Sequence, residues 1–122
     1  MEIVVGIGEC IISNRQDDIL KTFGLGSCLA LMIYAPRKKV LGLAHIALPY
    51  AFNPEQDFLR QPGRYVDTAV PFLIKEMAFK YRCTKKELIV NLYGGAESSR
   101  EQDLYQIGAR NIRAMKSILA AN

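Results

Sequence analysis

Cys28-Leu29-Ala30-Leu31-Met32-Ile33-Tyr34 and Val40-Leu41-Gly42-Leu43-Ala44-His45-Ile46-Ala47-Leu48 are two nearly unbroken apolar runs, separated by Ala35 and the turn segment Pro36-Arg37-Lys38-Lys39. Runs of this length, broken by a proline and three cations, read as the arms of an antiparallel hairpin. Arms that are apolar on both faces belong in the middle of a sheet with both faces covered. The parity of the loop decides what the hairpin can do. With an even loop, either Pro36-Arg37 alone or all of 36–39, Cys28 and His45 share a face. They are then directly opposite or one diagonal step apart, roughly 5 to 8 Å between side-chain roots. An odd loop sets them on opposite faces.

Immediately before the first arm stands Thr22-Phe23-Gly24-Leu25-Gly26-Ser27-Cys28. The two glycines let the backbone bend and approach a ligand closely. They also leave N–H groups around Gly26, Ser27 and Cys28 uncovered, as an oxyanion site requires. A free thiol has a pKa of about 8.5, and a neighbouring histidine can take its proton or stabilise the thiolate. His45 is the only histidine in the chain. The chemistry of such a pair is attack on a carbonyl or carboxamide carbon, then hydrolysis of the thioester with His45 as general base. The same residues also fit a buried structural cysteine and a packed histidine, since free cysteine is often buried.

Composition sets the limits around that site. The chain has 122 residues, 50% of them hydrophobic and 23% charged, which predicts one ordered domain spanning 1–122. Cys10, Cys28 and Cys83 are odd in number and form no CxxC pair, so no disulfide framework is expected. With one histidine there is no zinc-type ligand cluster, and no cofactor is expected. The start lacks a basic segment ahead of Ile3-Val4-Val5, and no apolar run is long enough to span a bilayer. The expected compartment is the cytoplasm, with reduced thiols and no membrane insertion. The net charge of +4 is spread along the chain, without a helix-turn-helix or RNA-recognition motif, so no nucleic-acid partner is expected. A solvated basic surface or attraction to an acidic protein accounts for it.

Outside the hairpin, residues 2–7 and 19–23 read as short strands, and Cys10 belongs to a β region after a bend at Gly6 and Gly8. Residues 50–63, with two prolines and a glycine, read as a long loop, a candidate lid. Residues 65–81 read as a helix with Ala69, Leu73, Ile74 and Met77 on one stripe, and Cys83 beyond it as a packing residue. Thr84 to Glu87 has capping-box spacing but leads into a strand, 88–93, closed by Gly94-Gly95. Residues 96–106 read as a polar loop, and 107–121 as an amphipathic helix with Ile112, Met115, Ile118 and Leu119 inward.

Five ordered blocks carry a family resemblance: Thr22-x-Gly-x-Gly-Ser-Cys28, His45-x-x-Leu48-Pro49, Arg64-Tyr65-x-Asp67-x-Ala69, Tyr93-Gly94-Gly95-Ala96 and Ile107-Gly108-x-Arg110-Asn111. Together they resemble CheD, the bacterial chemoreceptor glutamine deamidases. The resemblance implies a cysteine hydrolase of α/β (α+β) sandwich form, with a mixed sheet, a central hairpin and two main helices. It implies Cys28 as nucleophile, His45 as base and Thr22 as the residue that orients the imidazole, with the 94–95 segment near the catalytic centre. The implied substrates are glutamines on the cytoplasmic helices of chemoreceptors. A second role implied by the family is docking on a CheC-type phosphatase of the response regulator, with catalysis weak or absent. Members of the family usually continue past the last block into a Gly-rich segment and at least one more strand, whereas this chain stops at Asn122.

Overall fold

Two-residue alternation along the apolar arms sorts their side chains onto two faces. The computed structural model describes residues 1–96 and 106–122. In it Leu29–Ala35 (β4) and Val40–Ile46 (β5) pair antiparallel, with Leu29 opposite Ile46 and Ala35 opposite Val40. The connection is therefore the even, four-residue loop 36–39. Cys10–Ser13 (β2) lies along the far edge of β5 and Ile89–Gly94 (β6) along the far edge of β4, in the order β2-β5-β4-β6. The two unbroken apolar runs are the two central strands.

One face of this sheet presents Leu29, Leu31 and Ile33 of β4 with Ala44 and Ile46 of β5 to a pair of helices. Val66–Tyr81 (α2) buries Val66, Ala69, Val70, Leu73 and Met77, the spacing of one helical stripe. Pro71 falls in its second turn, where it removes one backbone bond without ending the helix. Ile107–Ala121 (α3) buries Ala114 and Met115 against the same core, with Ile112, Ile118 and Leu119 half-buried beside them. Cys83 closes this core just past α2, and Cys10 packs at its edge.

The opposite face carries Ala30, Met32, Leu43 and His45. A separate parallel pair, Glu2–Val4 (β1) and Ile19–Lys21 (β3), lies over it through Val5 and Leu20. This small layer covers only part of the face, so Met32, Tyr34 and Leu41 remain half-exposed where full coverage is expected from their hydrophobicity.

The architecture is thus α+β, with three α-helices among the described residues and a mostly antiparallel arrangement, and it corrects two expectations. The four-stranded sheet is not mixed: all its strand pairs are antiparallel, and the parallel strand pair is β1 with β3. The stretch read as a long loop contains a third helix, Pro54–Arg60 (α1). Pro54 opens it, where a missing N–H costs nothing, and Glu55 and Asp57 lie in its first turn with Arg60 in its last. Phe58 then packs edge-on against Phe72 of α2, ring centroids 5.8 Å apart. The Thr84–Glu87 spacing is a real cap: the Glu87 carboxylate accepts from the Thr84 amide at 2.9 Å, on a single 3-10 turn that precedes β6. The loop expected at 96–106 lies largely outside the described residues. Among the described residues no helix is long and apolar enough to cross a membrane.

At the end of β6, Gly94 has φ +91, and a Cβ there would lie inside van der Waals contact of the Cys28 carbonyl. Gly94→Ala is expected to cost about 2–3 kcal/mol from backbone strain and overpacking together. Thermal unfolding followed by circular dichroism should show a midpoint about 10 °C lower. An unchanged midpoint would mean that the chain does not need this close approach.

Candidate active site

His45 sits near the end of a central strand, so its backbone is held from both sides. It pairs with Ala30 of β4 on one side. On the other, its amide donates to Glu9 O at 3.2 Å and its carbonyl accepts from the Gly8 amide at 2.8 Å. A side chain rooted on such a rung has little freedom to wander. The imidazole is buried, with 1% exposure.

Its orientation comes from the small parallel layer. Val5 N–H donates to Lys21 O at 2.7 Å, which brings Thr22 beside Val5. The Thr22 hydroxyl donates to Val5 O at 2.7 Å and lies 2.7 Å from His45 Nδ1. A hydroxyl has one proton, and a carbonyl can only accept. The Thr22 proton therefore belongs to Val5 O, and Thr22 Oγ1 must accept from Nδ1–H. That leaves the Nε2 lone pair as the free end of the ring, buried and without a hydrogen-bond partner among the described residues. This is the tautomer a general base needs.

Cys28 stands one residue before β4, at the end of a turn in which its amide donates to Leu25 O at 2.6 Å. Gly26, with φ +45, provides the left-handed residue the turn requires. Three successive carbonyls of this turn are held from elsewhere. Ala96 N–H donates to Gly26 O at 2.8 Å, Asn111 Nδ2 to Ser27 O at 2.9 Å, and Gly95 N–H to Cys28 O at 2.8 Å. Continuing the β4–β5 register one step sets Cys28 across from Ala47. The thiol is then on the His45 face, one diagonal step away, the longer of the two spacings that an even loop allows.

The oxyanion expectation needs one correction. The Cys28 amide is committed to Leu25 O and is not available to a ligand. The amides of Gly26 and Ser27 make no hydrogen bond among the described residues. The Gly26–Ser27 peptide is trans, so the Ser27 N–H points opposite to the Gly26 carbonyl and away from Ala96.

Burial raises the pKa of the Cys28 thiol and lowers that of His45. Both shifts disfavour charge, so burial works against a thiolate–imidazolium ion pair. Cys10, pushed up to about 12 by burial, is further still from thiolate. A cavity of about 340 Å³ runs along the same sheet face, bounded by Ala30, Met32, Leu43, Leu20, Thr22 and Tyr93. Among the described residues no cluster of three His, Cys, Asp or Glu side chains could hold a metal ion.

Thr22 and His45 are thus in direct contact, Cys28 stands at the end of the same strand pair without a hydrogen bond to Nε2, and Gly26 and Ser27 belong to the turn that leads to it. Of the Arg110-Asn111 pair, Arg110 is exposed, while Asn111 is buried and reaches the Cys28 turn. The Gly94-Gly95 segment, in isolation only a turn signal, lies against that same turn.

The family model described as CheD chemotactic sensory transduction matches residues 47–122. A probable chemoreceptor glutamine deamidase CheD of Syntrophotalea carbinolica is 37% identical over 97% of this chain and 74% of the relative. A second, of Syntrophus aciditrophicus, is 35% identical over 99% of this chain and 75% of its own length. A third, of Caldanaerobacter subterraneus, is 39% identical over 94% of the chain and 70% of the relative. The chain belongs to the CheD family. The family model's matched span takes in Leu48-Pro49 and the three later blocks, while Cys28 and His45 lie within the near-full-length similarity to individual CheD relatives.

As the only histidine of this CheD chain, His45 provides a clean pH readout. Its folded pKa lies below the ordinary 6.5, so the unfolded chain takes up the proton first. Stability is then full above about 6.5 and falls as the pH drops toward the folded value. The shifted carboxyls, Asp18 and Glu87, are also lowered, and they act in a more acid range. We expect the thermal midpoint to decline from about pH 6.5 to 5, and His45→Gln to flatten that decline. An equal decline in the variant would assign it to other groups.

Proposed function

We propose that this chain hydrolyses glutamine side chains of chemoreceptors to glutamate through a Cys28 thioester, within a CheD-type cysteine hydrolase fold. The observation that carries the reading is the fixed tautomer of His45. With Nδ1–H held by Thr22, Nε2 is a buried lone pair without a partner among the described residues, on a strand whose end adjoins Cys28. The names of the relatives supply the substrate class.

The steps follow from a neutral thiol–imidazole pair. As the Cys28 sulfur attacks the carboxamide carbon, its proton passes to His45 Nε2, which avoids a standing thiolate in a site that disfavours one. The carbonyl oxygen becomes an oxyanion, received by the Ser27 and Gly26 amides. Collapse breaks the C–N bond, and the amide nitrogen leaves as ammonia with the proton from Nε2. Water then attacks the thioester, with Nε2 taking its proton. The C–S bond breaks, carboxylate is released, and the proton returns to sulfur. Thr22 stays a hydrogen-bond acceptor throughout and stabilises the imidazolium without carrying a charge. The apolar cavity beside Thr22 suits the methylene stem of glutamine and apolar neighbours on a receptor helix. Each event adds one negative charge to a helical bundle in the cytoplasm, which shifts its two-state balance.

The test is peptide mass spectrometry on a chemoreceptor cytoplasmic fragment incubated with the chain or with variants. We expect Gln-to-Glu shifts at discrete sites, absent with Cys28→Ala and reduced at least about 1000-fold with His45→Ala. Both variants should remain folded. Discrete shifts that persist with Cys28→Ala, or no shift with the folded, unmodified chain, would falsify the proposal.

A further inference from the structure

Asn111 belongs to α3, outside both the hairpin and the glycine segment, and its side chain is fully buried. Its Nδ2 donates twice, to Ser27 O at 2.9 Å and to Ala47 O at 3.1 Å. Two carbonyl acceptors on one atom identify that atom as the nitrogen, and both of its hydrogens are then engaged. The two acceptors sit at one place in the hairpin. Ser27 immediately precedes Cys28, and Ala47 is the first residue past Ile46, the partner of Leu29.

That place is where the strand ladder stops. The last pair is Leu29 with Ile46, and beyond it the Ala47 amide turns away to Arg64 O at 2.9 Å. No ladder rung is left to hold the Cys28 turn at a set distance from the end of the His45 strand. The planar amide of Asn111 bridges the two backbones there, one N–H to each. Oδ1 is buried without a partner among the described residues, so the bridge is made by the nitrogen alone.

We propose that Asn111 is a positioning residue of the active site, setting the Cys28 turn against the His45 strand across the gap beyond the last ladder pair. The inference rests on the reading of Cys28 and His45 as a reacting pair. It explains why a helix on the opposite face of the sheet contributes a polar, fully buried side chain to the core. Alanine at 111 would leave both carbonyls without that donor, and serine would keep one hydroxyl donor for the pair.

The experiment compares Asn111→Ala and Asn111→Ser with Met115→Ala, a control that opens the same helix's core contact one turn on and leaves both carbonyls alone. Turnover of a receptor fragment, thermal midpoint and the pH profile of Cys28 alkylation by iodoacetamide, read by peptide mass spectrometry, are measured for each. We expect Asn111→Ala to lower kcat about 100-fold with KM changed by less than about threefold, and Asn111→Ser to fall between it and the unmodified chain. The alkylation midpoint should move down toward an ordinary thiol in Asn111→Ala and stay put in Met115→Ala. The proposal is overturned if Met115→Ala, equally destabilised but folded, loses as much kcat, or if Asn111→Ala keeps its kcat and alkylation profile. If Asn111→Ala does not fold, Asn111→Ser is judged by the same comparison. Failure of both to fold marks a structural residue and also overturns the proposal. If the unmodified chain deamidates nothing, the deamidase reading fails, and the alkylation comparison still decides the role of Asn111.

Discussion

The register of the β4–β5 hairpin is the constraint on which the rest of the molecule depends. Pairing Ala35 with Val40 sends Leu29, Leu31, Ala44 and Ile46 to the helices and leaves Ala30, Leu43 and His45 on the other face. A slip of one residue would exchange the two sets, burying the imidazole beneath α2 and exposing the aliphatic core. The core therefore enforces the register, and the register places the histidine. Stability and chemistry share one cause here, because the apolar residues that cannot face water are the ones that aim His45 away from the helices.

Around that hairpin the backbone, more than the side chains, builds the site. The turn before Cys28 holds no ladder position, yet its three successive carbonyls accept from Ala96, Asn111 and Gly95. Each bond orients a peptide plane, so the thiol is presented by a loop with the definition of a strand. The Cys28 amide is turned into its own loop, while those of Ser27 and Gly26 make no hydrogen bond among the described residues. Gly94 follows from this arrangement, since no side chain fits between β6 and the Cys28 carbonyl. Burial also works against both charged forms of the two groups, thiolate and imidazolium. The proposed reaction accordingly moves the thiol proton during attack rather than starting from a standing ion pair.

Much of this was legible in the chain itself. Unbroken hydrophobicity in 28–34 and 40–48 marks the central strands, the stripe at 69, 73 and 77 marks α2, and five ordered blocks point to the CheD family. The short helix α1 hid among prolines because Pro54 opens a helix as readily as it breaks one, and Phe58 found a partner in Phe72 that no local pattern reveals. The second sheet face was expected to be covered because hydrophobicity reports what a strand can bury, not whether the chain has a layer wide enough to bury it.

Residue types and spacing alone determined that a hairpin would form, that an even loop would bring Cys28 and His45 onto one face and an odd one would not, and that Thr22 and two glycines would stand just ahead of the thiol. These are local matters, set by periodicity and turn chemistry. Only the tertiary structure decided between the direct and the diagonal pairing, which follows from the four-residue loop closing on Ala35 and Val40. It alone gave Thr22 the Val5 carbonyl that takes its proton and so settles the tautomer of His45. It alone brought Asn111, 84 positions from Ser27, to the gap beside Cys28. A hydrogen bond between distant segments leaves no periodic trace in the sequence, because its geometry exists only once the layers have packed.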